Sequence, residues 1–113
     1  MSKYLDLANV SDPSLVISED HLAGADVYVD AKLWGLDIDP ETIALPNARL
    51  SEIAMHWAKY LAADEGAISE DSPLVKKARN FKDNAELLSE TLSRKSLGIV
   101  DNNEYGNVIL GRA

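Results

Sequence analysis

Six apolar residues, Leu74, Ala78, Phe81, Ala85, Leu88 and Leu92, recur at spacings of 4, 3, 4, 3 and 4. Only a chain wound at about 3.6 residues per turn brings such positions onto one face, so the spacing predicts a long helix over about 73–95 with one buried seam. Ser72-Pro73 in front of it supplies an N-cap and a proline at the first helical position, where a missing amide hydrogen costs little. Lys76, Lys77, Arg79 and Lys82 crowd its first half, and Lys82 and Glu86 form a spaced pair on one face. Arg94 and Lys95 close it, where the helix dipole favours cations.

Two further helices are predicted upstream. Ser18-Glu19-Asp20 reads as an N-cap with first-turn acids. The apolar residues Leu22, Ala25, Val29, Leu33 and Leu36 then follow at 3, 4, 4 and 3, giving a first helix over about 19–34 with Asp26, Asp30 and Lys32 on its wet side. Gly35 ends it, and Pro40 keeps Asp39 out of helical geometry, so residues 37–41 form a loop. Pro46 suits the first turn of the next helix, about 46–65, whose stripe Leu50, Ile53, Ala54, Trp57, Ala58, Leu61 and Ala62 is broad enough for the most buried helix. Gly66 is its expected C-cap. The complementary stripes of the second and third helices are expected to form the core.

The ends differ in character. Residues 1–17 carry apolar positions without sustained helical spacing, broken by Ser11-Asp12-Pro13, and read as an extended arm with a turn. After Leu97-Gly98, two β-prone runs, Ile99-Val100 and Val108-Ile109-Leu110, flank a polar loop containing Tyr105, so an extended or β-hairpin tail is expected over 98–113. A lone hairpin is marginal in water, and exposed β-prone runs invite another chain. Ile99, Val100, Tyr105, Val108, Ile109 and Leu110 are therefore the candidate interface with a neighbouring subunit. The expected architecture is all-α: a single domain spanning 1–113, with a three-helix bundle over 18–97 between arm and tail.

A chain of 113 residues holds one modest core and leaves little room for an enclosed catalytic cleft. No run approaches the roughly 20 apolar residues of a membrane span, and the first residues lack a signal peptide's apolar centre, so a cytoplasmic or cytoplasmically assembled protein is expected. Zero cysteines exclude disulfides and thiolate chemistry within this sequence. The net charge of −8 disfavours wrapping on nucleic acid, which needs cations against phosphates. That charge is uneven: residues 1–71 hold 14 acids and 4 bases (−10), and residues 72–113 hold 5 acids and 7 bases (+2), a polarity that suits head-to-tail association as well as a solvated acidic surface.

Candidate chemical sites are sparse. Asp37, Asp39 and Glu41 offer oxygen ligands but lack the further ligands and turn glycine of a calcium loop. Asp101-Asn102-Asn103-Glu104-Tyr105-Gly106 begins like an EF-hand loop, yet Tyr105 takes its fifth position and Arg112 its twelfth, so it reads as a turn. His56 follows Glu52 by one helical turn, a spacing that can orient an acid–base imidazole but is usual between surface partners. His21, in a first helical turn, is expected to be solvated. No G-x-S-x-G elbow is present. Trp34, Trp57 and Phe81 fall at core or core-edge positions. The residues thus point to no catalysis, no metal and no cofactor.

Several short stretches occur in a telling order: Ala25-Asp26-Val27-Tyr28-Val29-Asp30-Ala31-Lys32-Leu33, Leu45-Pro46, Ile53-Ala54 with Ala58, Tyr60-Leu61-Ala62-Ala63, Ala85-Glu86-Leu87-Leu88 and Leu97-Gly98. Over roughly residues 15–98 this pattern resembles the small helical head–tail connector, or adaptor, proteins of tailed bacteriophages and prophages. The chain departs from them in its acidic loop at 37–41 and its longer, apolar-tipped tail. The resemblance implies a non-enzymatic virion protein at the head–tail junction, assembled in the host cytoplasm. Such subunits form a homo-oligomeric ring, commonly twelvefold, under the portal protein. The ring extends the DNA channel and docks the next head-completion, stopper or tail protein. Read from its residues alone, the chain also fits a small cytoplasmic bacterial interaction or regulatory protein whose seam pairs with another chain.

Overall fold

The computed structural model describes residues 2–67 and 71–97. Its architecture is helical, with α1 at Glu19–Gly35, α2 at Ala48–Gly66 and α3 at Pro73–Glu90, plus short 3-10 turns at Leu7–Asn9 and Pro40–Thr42. Among the described residues there is no strand. The expected tail, with Ile99, Val100, Tyr105, Val108, Ile109 and Leu110, lies outside the described residues.

Each helix start is made by the capping chemistry of its own residues. Ser18 N–H donates to His21 Nδ1 at 3.1 Å, the returning half of a capping box in which histidine stands where glutamate or glutamine is usual. With Nδ1 accepting, the ring hydrogen sits on Nε2, 3.2 Å from Glu65 Oε2 at the far end of α2. His21 is therefore not solvated but 6% exposed, because its two ring nitrogens tie the start of α1 to the end of α2. At α2 the cap is Asn47, whose side chain accepts from Leu50 N–H at 3.1 Å. The helix starts one residue after it, so Pro46 precedes the helix instead of forming its first turn. Ser72 Oγ accepts from Leu74 N–H at 3.2 Å and opens α3 as expected.

The helix ends depart further from expectation. α1 closes in a Schellman arrangement: Ile38 N–H donates to Leu33 O and Asp37 N–H to Trp34 O, both at 3.0 Å. Gly35 is the last helical residue, and the left-handed position belongs to Asp37 at φ 59°. Aspartate tolerates that conformation better than most residues, and buried Ile38 packs beneath the turn. Gly66 likewise ends α2 from within, with Ala67 as C-cap. A Cβ at Gly66 would stand 2.9 Å from Leu74 Cδ1, so the residue's smallness serves the close approach of α3. α3 stops at Glu90, short of the predicted 95. Over its last turn Ser89 Oγ donates to Ala85 O and Thr91 Oγ1 to Leu88 O, side-chain bonds that compete with continued helix. Leu92 is buried as the seam requires, but from the turn beyond the helix.

The three helices run up, down and up. His21 meets Glu65 and Tyr28 stacks on Trp57, ring centroids 3.8 Å apart, so α1 and α2 are antiparallel. Leu74 meets Gly66 and Arg49 donates to Thr91 Oγ1, so α2 and α3 are antiparallel as well. A Cβ at Gly24 would stand 2.7 Å from Leu61 Cδ1, which shows how closely α1 lies on α2. The largest fully buried side chains, Leu22, Val29, Leu33, Ile38, Leu50 and Ile53, belong to α1, α2 and the segment between them. The large side chains of the core therefore gather where α1 meets α2, while α2 and α3 pack extensively through small residues. α3 buries two alanines, Ala78 and Ala85, while Leu74, Phe81 and Leu88 are half-buried.

The arm is fastened by carboxylates. Asp26 and Asp30 are not on a wet face: Asp26 accepts from Ser2 Oγ at 2.8 Å and Lys3 N–H at 2.9 Å, and Asp30 pairs with Lys3 Nζ at 2.9 Å and accepts from the Tyr4 hydroxyl. Tyr4 and Val10 are buried against the core. Farther along, Asp12 pairs with Lys77 Nζ at 2.9 Å, joining arm to α3.

Burial sets the order of core substitutions. Ile53→Ala, at a fully buried site, is expected to lower stability by about 2–5 kcal/mol, and half-buried Leu88→Ala by roughly half as much, both read by urea unfolding. An equal loss would place α3 in the main core.

The Lys77 ammonium, with hydrogen bonds from Ser14, holds the Asp12 carboxyl down to about 2, below its ordinary value of 3.8. The unfolded chain takes up this proton first as pH falls, so the pair's contribution is whole above about pH 4 and lost as pH drops towards 2. Asp12→Asn is expected to flatten that part of the stability–pH curve; an unaltered curve would remove the pair from the arm's anchorage.

Candidate interaction surface

α1 is apolar on two opposite sides. Leu22, Ala25, Val29 and Leu33 point inward and are buried. Ala23, Val27, Ala31 and Trp34, spaced at 4, 4 and 3, form a second stripe that faces solvent. Val27 is 69% and Trp34 58% exposed, so Trp34 is not the core-edge residue its position suggested. The inward stripe is the one covered by α2, by Ile38 after the turn that closes α1 and by Tyr4 and Val10 of the arm, with which it forms one buried cluster. The same 4, 4, 3 spacing was legible in the sequence and is the signal by which this second face is found.

The other edge of the molecule is α3. The α2 residues that meet α1 (Trp57, Leu61, Glu65) and those that meet α3 (Arg49, His56, Lys59) occupy nearly opposite sides of α2. α2 thus lies between its neighbours, and the outer faces of α1 and α3 point apart; a Tyr28–Ser89 hydroxyl contact at 3.3 Å bridges one side. The outer face of α3 begins with exposed Lys76 and Arg79 and carries Leu87, 63% exposed, in its second half. Among the described residues neither Lys76 nor Arg79 makes an ion pair. Glu19 and Asp20 stand exposed at the corresponding start of α1.

The residues considered for chemistry do not converge. His56 is half-buried, 6.1 Å centroid to centroid from Phe81, and its buried Nδ1 has no hydrogen-bond partner among the described residues. Burial depresses its basicity, Glu52 opposes this and Lys59 adds to it. No hydrogen bond joins His56 to Glu52 or to a serine among the described residues. In the acidic loop Asp39 is spent on the 3-10 turn, accepting from Glu41 N–H at 2.9 Å, while Asp37 closes α1. Among the described residues no three histidine, aspartate or glutamate side chains gather about one point. An open groove of about 520 Å³ between arm and α2, walled by Leu5, Val10, Pro46 and Met55, has Lys3, Asp6 and Glu52 on its lining but no paired acid and base. No helix among the described residues is long and apolar enough to cross a membrane.

Comparison with known proteins adds no relative: no family model, no curated protein and no solved structure matches the chain.

The two tryptophans report the surface directly. With Trp57→Phe, leaving Trp34, emission is expected to be red-shifted and strongly quenched by acrylamide; with Trp34→Phe, leaving Trp57 stacked on Tyr28, it is expected to be shielded. Val27→Ser is expected to stay within about 0.5 kcal/mol of the parent in unfolding. Equal quenching of both variants would deny the outward placement of Trp34.

Proposed function

We propose that this chain is a structural, non-enzymatic subunit of a phage head–tail connector. Copies assemble as a ring under the portal protein, extend the DNA channel and dock the next head-completion, stopper or tail protein. The ring is twelvefold by the resemblance already described. The observation that carries the reading is the second apolar stripe of α1, Ala23, Val27, Ala31 and Trp34, an unpartnered face on a small helical domain. The net charge of −8 suits a channel wall along which DNA slides without adhering. In this reading Ile99, Val100, Tyr105, Val108, Ile109 and Leu110 supply a further contact with a neighbouring subunit or the portal. The protein belongs to the virion at the head–tail junction, after assembly in the host cytoplasm.

The same unpartnered stripe also favours a second reading, a small cytoplasmic bacterial interaction or regulatory protein that covers this face with a different chain. Electron microscopy of the full chain mixed with portal-bearing, DNA-filled heads separates the two. Density in a ring beneath the portal is expected, and Ile109→Asp is expected to reduce its occupancy without lowering the melting temperature. Heads that remain bare, with the protein forming no oligomer of its own, would exclude the connector and leave the second reading.

A further inference from the structure

The self-association proposed above leaves open which surfaces meet, and the two outer edges of the molecule decide it. We propose that the outward face of α1, formed by Ala23, Val27, Ala31 and Trp34, packs in parallel on the outward face of α3 of a second copy of this chain, with that copy's Leu87 seated over Ala31 between Val27 and Trp34.

Three observations carry this. First, direction: α1 and α3 are each antiparallel to α2, so they run parallel to one another, and copies set side by side around an axis along the helices bring α1 of one beside a parallel α3 of the next. Second, register. Within one molecule His21 is level with Glu65, and Gly66 with Leu74, so the start of α1 and the start of α3 stand at the same height. A closed ring adds no rise between neighbours. Side-by-side placement therefore sets Asp20 near Lys76, Ala23 near Arg79 and Ala31 near Leu87, to within about one helical turn. Third, complementarity. The exposed acids Glu19 and Asp20 open the α1 face, and the exposed bases Lys76 and Arg79 open the α3 face. Farther along, the one large apolar side chain exposed on α3, Leu87, falls on the smallest part of the α1 stripe, with Val27 and Trp34 as walls. An α1–α1 pairing about a twofold axis would leave Leu87 uncovered and the bases of α3 unmatched.

The contact is narrow. A stripe of four residues on one helix falls short of the roughly 800 Å² per partner of stable pairwise complexes, so isolated pairs are weak and closure of the ring supplies the remaining stability.

The absence of cysteine from the sequence makes a clean crosslinking test possible in the full chain. A double variant, Ala31→Cys with Leu87→Cys, treated with a short bismaleimide at millimolar protein concentration, is expected to give a ladder of multimers on a denaturing gel. Each single-cysteine variant is expected to stay monomeric on the gel. Asp20→Lys is expected to thin the ladder several-fold, and adding Lys76→Glu to restore it. Dimers from Ala31→Cys alone would overturn the proposal in favour of a twofold α1–α1 contact. Absence of the ladder, while light scattering on the parent chain shows oligomers, would also overturn it and leave self-association standing. Absence of both would defeat the contact and the ring reading together.

Discussion

A thin middle helix allows the rest of this structure to exist. α2 presents Ala54, Ala58, Ala62 and Ala63 as buried residues, and its neighbours answer with Ala25 on α1 and Ala78 and Ala85 on α3. Alanine contributes little transfer free energy per side chain, but it lets helix axes come close enough for many small dispersion contacts to add up. Between these close approaches the larger groups fit where there is space for them: Tyr28 against Trp57, Leu61 against Gly24, Leu74 against Gly66. With both sides of α2 occupied, α1 and α3 become edges, and Val27 and Trp34 on the one and Leu87 on the other are left exposed.

Polar groups in this chain fasten segments whose apolar content is too low to hold themselves. The arm contributes Tyr4 and Val10 to the core, and its backbone is held by Asp26 and Asp30 from α1 and by the Asp12–Lys77 pair with α3. Three carboxylates that composition alone assigns to a solvated surface, Asp12, Asp26 and Asp30, thereby hold the arm. The Tyr4 phenol shows the effect from the other side: burial, with Asp30 as its acceptor, pushes its pKa up, so it keeps its proton within the arm's anchorage. His21 does similar work, linking a helix start to a helix end that are 44 residues apart in sequence.

That economy bears on function. Several carboxylates and His21 are engaged in caps and clasps and His56 is set apart, while Glu19, Asp20, Lys76 and Arg79 stay exposed beside apolar positions of α1 and α3. The acid-to-base polarity between the first and last parts of the sequence then acquires a geometric meaning, because α1 and α3 carry its two ends on opposite edges of one molecule.

The number, order and approximate limits of the helices were legible in the sequence, because 3.6-residue periodicity and caps such as Ser18 and Ser72 are local signals. The seam of α3 was legible down to Leu92, whereas the outer stripe of α1 went unread although its spacing of 4, 4 and 3 carries the signal. What local signals do not contain is which of the remaining faces another element covers. The inward stripe of α1, Leu22, Ala25, Val29 and Leu33, was read from the sequence and is buried, but Trp34, read as core or core-edge, stays exposed with Ala23, Val27 and Ala31 because no other element packs on that side. The same holds for His21, buried because Glu65 lies opposite, and for Asp26 and Asp30, claimed by an arm that folds back from more than 20 residues away. The early end of α3 is partly local, from Ser89 and Thr91 bonding back to Ala85 and Leu88, and partly tertiary, since the Thr91 hydroxyl also accepts from Arg49 of α2. Periodicity and capping are properties of neighbours in sequence and were determined there, the inward face of α1 among them; the buried polar groups and the free outer edges depend on pairs distant in sequence, and only the packed structure brings those pairs together.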